Sequence, residues 1–332
     1  MNDLFNFQNG HTIEKSELNT VSKIEDIEEN KQVRLYAKID QLNCQMTKNN
    51  TEFLNIMLMD RTGMINAKKW DASELDTKMF KSGQVVYLEG KGSKYNDKLQ
   101  FIIESIRLVN ESEDIDLSEF YESAPLNVDY YKKQIYGYIN RIENRIIKLI
   151  TENLVRKFEE AYFVFPAATR NHHAYISGLA HHVTTMLKLA ENIGSIYSDL
   201  NLDLLYAGVI LHDIGKVIEL SDYKAPEYTP MGKLIGHLNI GATEIQVMAK
   251  ELGIDSEEIM LLQHLVLSHH GHAEWGSPKE PLLKEAEILH FIDLIDSRIN
   301  MVQEELDTVD EGEFTKRIYS MNGRAFYKPD LK

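Results

Sequence analysis

His212 and Asp213 stand side by side at the end of the apolar run LLYAGVILHDIGK. Both are metal-ligand side chains. An apolar helix that delivers them to its inner end would bury a carboxylate, at a cost on the order of several kcal/mol unless a cation or another partner meets it. Eleven of the twelve histidines fall between residues 172 and 290, so further ligands are available in the same segment. In ISGLAHHVTTMLKLAENI, Leu179, His182, Met186, Leu189 and Ile193 recur in steps of three and four. That spacing turns His182 to the inward face of a helix and leaves His181, about 100° round, outside or on the rim. In EAEILHFIDLIDSRINM, Asp293 lies among apolar neighbours, and Asp296 one turn on either orients a ligand or caps a neighbouring helix. His182, His212, Asp213 and Asp293 together offer nitrogen and oxygen donors to one octahedral divalent ion. Such a set suits Mn²⁺, Fe or Mg²⁺ and tolerates Zn²⁺ or Co²⁺. No P-loop and no GxGxxG is present.

These residues need helices to hold them, and the chain from about 128 to 305 has that character. YYKKQIYGYINRIENRIIKLITENLVRKF repeats apolar residues at helical spacing through Ile135, Ile139, Ile142 and Ile146, which reads as one long helix over 128–158. Further helices are expected near 174–194, 202–215, 237–252, 256–270 and 281–305, and Gly215 follows His212-Asp213 where a helix stop belongs. Residues 20–110 differ. VRLYAKI, FLNIMLMD, MINAKKW, VVYLEGKG and LQFIIESIRLV are short β-rich runs, separated by Arg61-Thr62-Gly63, Lys81-Ser82-Gly83 and Asn96-Asp97. With a short helix near 72–80, five such strands suit an OB-type barrel, a small β-sandwich being the alternative. The expected fold is therefore α+β and multidomain: an N-terminal extension (1–19), a five-stranded OB-type β-barrel (20–110), an acidic linker (111–127), an all-α helical bundle (128–305) and a polar, then mildly basic tail (306–332).

Composition narrows the function. The 332 residues carry 36 Lys and Arg against 52 Asp and Glu, a net charge of −16. A general polyanion binder is thereby excluded, because counterion release needs clustered cations, but a local basic groove is not. The barrel offers one: Lys68, Lys69, Lys91, Lys94 and Lys98 interleave with Trp70, Tyr95 and Phe101. Barrels of this kind hold single-stranded nucleic acid with cations along the backbone and aromatics under the bases. A solvated hairpin with core aromatics is the plain alternative for any one of them. The single cysteine, Cys44, forms no disulfide framework and reads as a small residue in or near a strand of a protein in a reducing compartment. No basic-then-apolar leader and no membrane-length apolar stretch is evident, so a cytoplasmic protein is expected.

The order His182, His212-Asp213, Asp293 resembles the HD-domain metal-dependent phosphohydrolases. GLAHH is similar to that superfamily's ligand helix and HDIGK to its signature turn. The resemblance implies that Lys216 faces substrate phosphate and that His237, His269 and His270 bind a second ion, with Asp213 bridging the two. It leaves His264, His272 and His290 as structural or ligand-supporting residues. Over roughly residues 15–328 the chain resembles the YhaM family of bacterial 3′–5′ exoribonucleases, most specifically in HHAYISGL, HDIGK and LSHHGHAEWGSP. That likeness implies Mn²⁺-favoured trimming of single-stranded RNA, some action on single-stranded DNA, and self-association as a homo-oligomer. His172 and His173 belong to the family-like run without a metal role and either touch substrate or cap the helix. Two other readings compete: a phosphohydrolase of dNTPs or cyclic dinucleotides, and a non-catalytic DNA-binding replication factor.

Overall fold

A computed structural model describes residues 21–47, 51–110, 113, 115–116, 119–121, 123–169, 173–224 and 226–331. The chain divides into two compact units, 1–120 and 121–332. In the first unit, strands β1 (Gln32–Met46), β2 (Glu52–Asp60), β3 (Gly63–Lys69), β4 (Val85–Tyr95) and β5 (Lys98–Leu108) close into a barrel in the order β1-β2-β3-β5-β4, with helix α1 (Glu74–Met79) between β3 and β4. Side chains alternate across a pleated strand. Val33, Leu35, Ala37 and Ile39 of β1 and Leu54, Ile56 and Leu58 of β2 accordingly point inward and meet Val86, Leu88, Phe101 and Ile103. Closure leaves no unpaired sheet edge. The β4–β5 hairpin turns on Asn96 and Asp97, both at positive φ, the geometry of a two-residue turn. A register shift falls at Glu89/Gly90. There a Cβ would collide with the carbonyl oxygen of Ile102, so the bulge requires glycine.

The second unit is helical: α2 (Val128–Arg141), α3 (Arg145–Lys157), α4 (Glu159–Tyr162), α5 (Gly178–Ile196), α6 (Leu202–Leu211), α7 (Lys216–Glu219), α8 (Pro230–Ile235), α9 (His237–Glu251), α10 (Glu257–Ser268) and α11 (Lys284–Leu306). Every residue from Leu204 to Leu211 is buried. A helix apolar on all sides belongs at the centre of a core, and α6 is packed by α2, α3, α5, α10 and α11. Its C-terminal end is where His212 and Asp213 emerge.

The single helix expected over 128–158 is two helices. Asn144 Oδ1 accepts from the amides of Ile146 (2.9 Å) and Ile147 (3.0 Å) and so caps α3. Asp203 takes the amides of Glu143 (3.1 Å) and Asn144 (2.7 Å), satisfying the backbone at the break. The apolar period runs through the break because Ile135, Ile139, Ile142, Ile147 and Leu154 all enter one core. Cys44 lies in β1 and is exposed. The tail has structure of its own: Phe314 pairs with Tyr327 and Ile318 with Arg324 across a turn at 319–321. Among the described residues no helix is long and apolar enough to cross a membrane. Replacing Asn144 with Ala removes the α3 cap, worth roughly 1–2 kcal/mol. For a unit of this size, thermal melting should fall by roughly 2–8 °C.

Candidate metal centre

Five segments bring histidines and carboxylates together. α5 carries His182, the turn after α6 carries His212 and Asp213, α9 begins at His237, and α10 runs into His269 and His270. α11 adds Asp293 and Asp296. The glycine of HDIGK makes this convergence possible. A Cβ on Gly215 would strike the carbonyl oxygen of His237, so only glycine lets the start of α9 approach the turn. The five imidazoles form a contiguous chain, with ring centroids 5.3 Å apart for His182–His212, 4.8 Å for His212–His269, 4.4 Å for His269–His270 and 5.2 Å for His270–His237.

Asp213 lies in the middle and is 3% exposed. Its Oδ2 is 2.7 Å from Lys216 Nζ and 3.2 Å from His212 Nε2. Its Oδ1 is 3.4 Å from His237 Nε2 and 3.7 Å from His269 Nε2. Three sets of donor atoms are close enough to share an ion: His182, His212 and Asp213 on one side of Asp213, His237, His269 and His270 on the other, and His173, His182 and Asp296 behind them, the last already joined by hydrogen bonds. In the first two sets proximity is not hydrogen bonding. His212 Nε2, Asp213 Oδ1 and His237 Nε2 are buried and lack a hydrogen-bond partner. Unsatisfied buried polar atoms are rare and call for an explanation. Three of them aimed into one space, each with a lone pair, fit a bound cation.

The Nδ1 atoms of all five rings are engaged. His212 Nδ1 reaches the carbonyl of Val209 (2.8 Å), His269 Nδ1 that of Val266 (2.8 Å) and His270 Nδ1 that of Trp275 (2.8 Å). A carbonyl only accepts, so each Nδ1 carries the proton and each Nε2 presents a lone pair. Carboxylates do the same for the remaining two: Glu219 Oε1 is 3.1 Å from His237 Nδ1, and Asp296 Oδ2 is 2.6 Å from His182 Nδ1. Such outer partners fix the ring and the tautomer of metal-binding histidines. The charges agree. Burial pushes the Asp213 carboxyl up, yet Lys216 and His212 hold it well below the usual carboxylate range. Burial keeps His269 neutral, its pKa far below that of free imidazole. Burial also disfavours a charged His182, but its bonds to Asp293 (3.2 Å) and Asp296 outweigh this and raise its pKa to about 10. Asp293 demands positive charge at His182 Nε2, which a proton or a metal ion can supply.

All seven expected ligand positions thus meet in one place, with Lys216 beside Asp213 at 13% side-chain exposure. Asp293 and Lys216 line a cavity of about 340 Å³ with Asp213, His237, His269 and His270. Asp296 is an orienting group rather than a helix cap: its Oδ2 accepts from His182 and, at 2.7 Å, from His173 Nε2. His173 is 2% exposed and therefore a buried partner of this network, while His172 lies outside the described residues. His181 is half-buried beside this network, its Nδ1 2.7 Å from the Tyr175 hydroxyl. His290 Nδ1 holds the His269 carbonyl (2.9 Å), and His264 Nε2 accepts the Leu282 amide (2.9 Å); His272 packs edge-on against Trp275. Sequence reasoning missed Glu219. Its one signal was a carboxylate between Ile218 and Leu220 in an otherwise apolar stretch.

In the barrel unit the expected nucleic-acid residues separate. Lys68 Nζ lies 5.4 Å from the Trp70 ring, 5.0 Å from Tyr95 and 5.9 Å from Phe53, a cation over three aromatics. Trp70 and Tyr95 are 43% and 61% exposed. Lys91 and Lys98 are exposed, and Lys94 pairs with Glu29 at 3.2 Å. Lys69, next along the strand, turns the other way into a 2.9 Å salt bridge with Asp76 and is 18% exposed. Phe101 is fully buried in the barrel core. Phe53, buried and packed 4.9 Å from Trp70, backs this group, a role the sequence did not assign it.

Comparison with known proteins agrees with this architecture. Residues 179–298 match the HD domain family, and residues 28–109 match an OB-fold nucleic acid binding domain. The chain is 48% identical over 298 residues to the 3′-5′ exoribonuclease YhaM of Geobacillus sp. (strain WCH70), covering 90% of this chain and 92% of that one. It is 46% identical over 298 residues to the protein of the same name from Bacillus subtilis (strain 168), covering 90% and 95%. The chain belongs to the YhaM 3′-5′ exoribonuclease family. Glu219 generates a test of the geometry. Glu219→Ala frees the His237 ring, and Mn²⁺ affinity measured by calorimetry should drop about 10–100-fold; unchanged affinity would remove His237 from the ligand set.

Proposed function

We propose that this chain is a metal-dependent 3′–5′ exoribonuclease that hydrolyses the terminal phosphodiester of single-stranded RNA, and secondarily of single-stranded DNA. One observation carries the reading: buried, unpartnered ligand atoms face each other across Asp213, whose two oxygens address two separate histidine sets. We assign His182, His212, Asp213 and Asp293 to one divalent ion and Asp213, His237, His269 and His270 to a second, with Mn²⁺ the favoured metal by likeness to the family, since the mixed imidazole and carboxylate donors suit Fe or Mg²⁺ as well. When bound, such a pair of ions supplies Lewis acidity that activates water and stabilises the attacking and leaving oxygens at phosphorus.

The chain's own residues do the rest. Asp213 stays ionised and holds both sides in register. Burial alone would lower the pKa of Lys216, but Asp213 raises it, so the ammonium remains charged on the cavity wall. There it can pair with a phosphate oxygen. Glu219 and Asp296 keep His237 and His182 turned toward the centre. The barrel's part is to hold the strand, with Lys68, Trp70, Tyr95, Lys91, Lys94 and Lys98 as the contact set and Lys69 excluded by its salt bridge to Asp76. A reducing, cytoplasmic setting suits a free exposed Cys44. Self-association completes the proposal. Phe291, Ile295 and Ile299 recur every fourth residue of α11 at 48%, 47% and 65% exposure, an apolar row that a second copy would cover.

A 5′-labelled oligoribonucleotide incubated with Mn²⁺ should give a ladder of successively shorter products. With Asp213→Ala, cleavage should fall by more than the roughly 100-fold upper bound for loss of an orienting partner, while gel-shift binding is retained. An intact oligomer alongside hydrolysed mononucleotides would overturn the exonuclease reading. Binding without cleavage in the parent protein would point to a DNA- or RNA-binding factor. Light scattering should give a mass of at least twice 38.3 kDa, reduced by Ile295→Asp; a single-chain mass in the parent would refute self-association.

A further inference from the structure

The cavity at the centre has a second chemistry. Besides Asp213, Lys216, Asp293 and the histidines, it is lined by Trp275 and Tyr228, which are 49% and 46% exposed. Half-exposed aromatics in a cavity wall, left without full burial, are surfaces available to a flat ligand. Both are tied to the centre by backbone. The Trp275 carbonyl holds His270 Nδ1 at 2.8 Å. Tyr228 is bridged to Leu220, and the next residue, Thr229, donates its amide to the Glu219 carbonyl at 2.9 Å. Glu219 is the residue that orients His237.

The Trp275 segment is also rigid. Residues 273–275 form one short helical turn, closed by the amides of Trp275 and Ser277 on the His272 carbonyl (3.1 and 3.2 Å) and of Gly276 on that of Ala273 (2.9 Å). Gly276 ends the turn at φ +97°, a conformation that favours glycine. His272 meets the Trp275 ring edge-on at 4.8 Å, and His290 lies 6.0 Å away at 34°. The ring is therefore positioned before any ligand arrives. A volume of about 340 Å³ is near the lower end of small-molecule sites, roughly 300–1,000 Å³. It takes one terminal nucleotide and not a paired stretch.

We infer that Trp275, with Tyr228, is the stacking platform for the nucleobase of the terminal nucleotide, holding its phosphodiester over the metal centre. Every base has a π face, so the platform accepts all four and prefers the larger purines. This rests on the exoribonuclease reading above. Stacking platforms of this kind are worth about 5- to 150-fold in binding. Trp275→Ala should therefore raise KM for a single-stranded oligoribonucleotide by that range, with Mn²⁺ affinity unchanged because the carbonyl that holds His270 is kept. Trp275→Phe, which still stacks, should recover most of the loss. Adenosine 5′-monophosphate with Mn²⁺ should quench tryptophan fluorescence in a Trp70→Phe protein, whose one remaining tryptophan is Trp275, and the quench should vanish when Trp275→Phe is added.

An unchanged KM in Trp275→Ala, with the parent still producing a ladder, overturns the platform and leaves the exoribonuclease reading standing. A Trp275-dependent quench in a parent that degrades no oligomer does the reverse: the platform stands as a mononucleotide site and the exoribonuclease reading falls. A KM rise accompanied by weakened Mn²⁺ binding, or not relieved by Trp275→Phe, also overturns it, since the ring would then act only through the loop.

Discussion

A carboxylate at 3% exposure must be met by hydrogen bonds or positive charge, and only one oxygen of Asp213 is met by protein, through Lys216. The other faces two histidine nitrogens that offer it no aligned bond. Leaving such groups unsatisfied costs roughly 1–3 kcal/mol each, more when charged. The fold gathers three such atoms, His212 Nε2, Asp213 Oδ1 and His237 Nε2, at one point and organises itself around it. The central helix α6 is apolar on every side so that its end can place His212 and Asp213 at the meeting point of five helices. Gly215 removes the side chain that would keep α9 away.

Around this centre the outer nitrogen of every ring is answered. Three imidazoles are held by backbone carbonyls and two by carboxylates, so all five rings present the same edge inward. The arrangement is thus preorganised by hydrogen bonds that are present whatever occupies the middle. The same partners tie the cavity walls to the centre: the residue whose carbonyl holds His270 is the one whose ring lines the cavity.

Much of this was legible in the sequence where a residue's role follows from local periodicity. The three-and-four spacing separated His182, now 1% exposed, from its half-buried neighbour His181, which belongs to none of the donor sets. The vicinal His212-Asp213 was conspicuous because an apolar helix has no other reason to end that way. His237, His269 and His270 lie at helix ends, where no period is defined, and were reached through family resemblance. Glu219 and His173 act only through tertiary contacts, and Asn144 looked like one polar residue in a continuous apolar rhythm. In the barrel, treating Lys68 and Lys69 as one patch ignored the alternation of a strand, which sends adjacent side chains to opposite faces. Lys69 accordingly belongs to Asp76 and Lys68 to the aromatics.

Asp213 is the link between the two proposed cation sites. A crystal structure of the protein grown with Mn²⁺, with anomalous scattering recorded at the manganese edge, tests this most directly. Two peaks per chain are predicted, one against His182, His212 and Asp293, the other against His237, His269 and His270, with the Asp213 carboxylate between them. A single peak, or peaks that Asp213 does not touch, would contradict it.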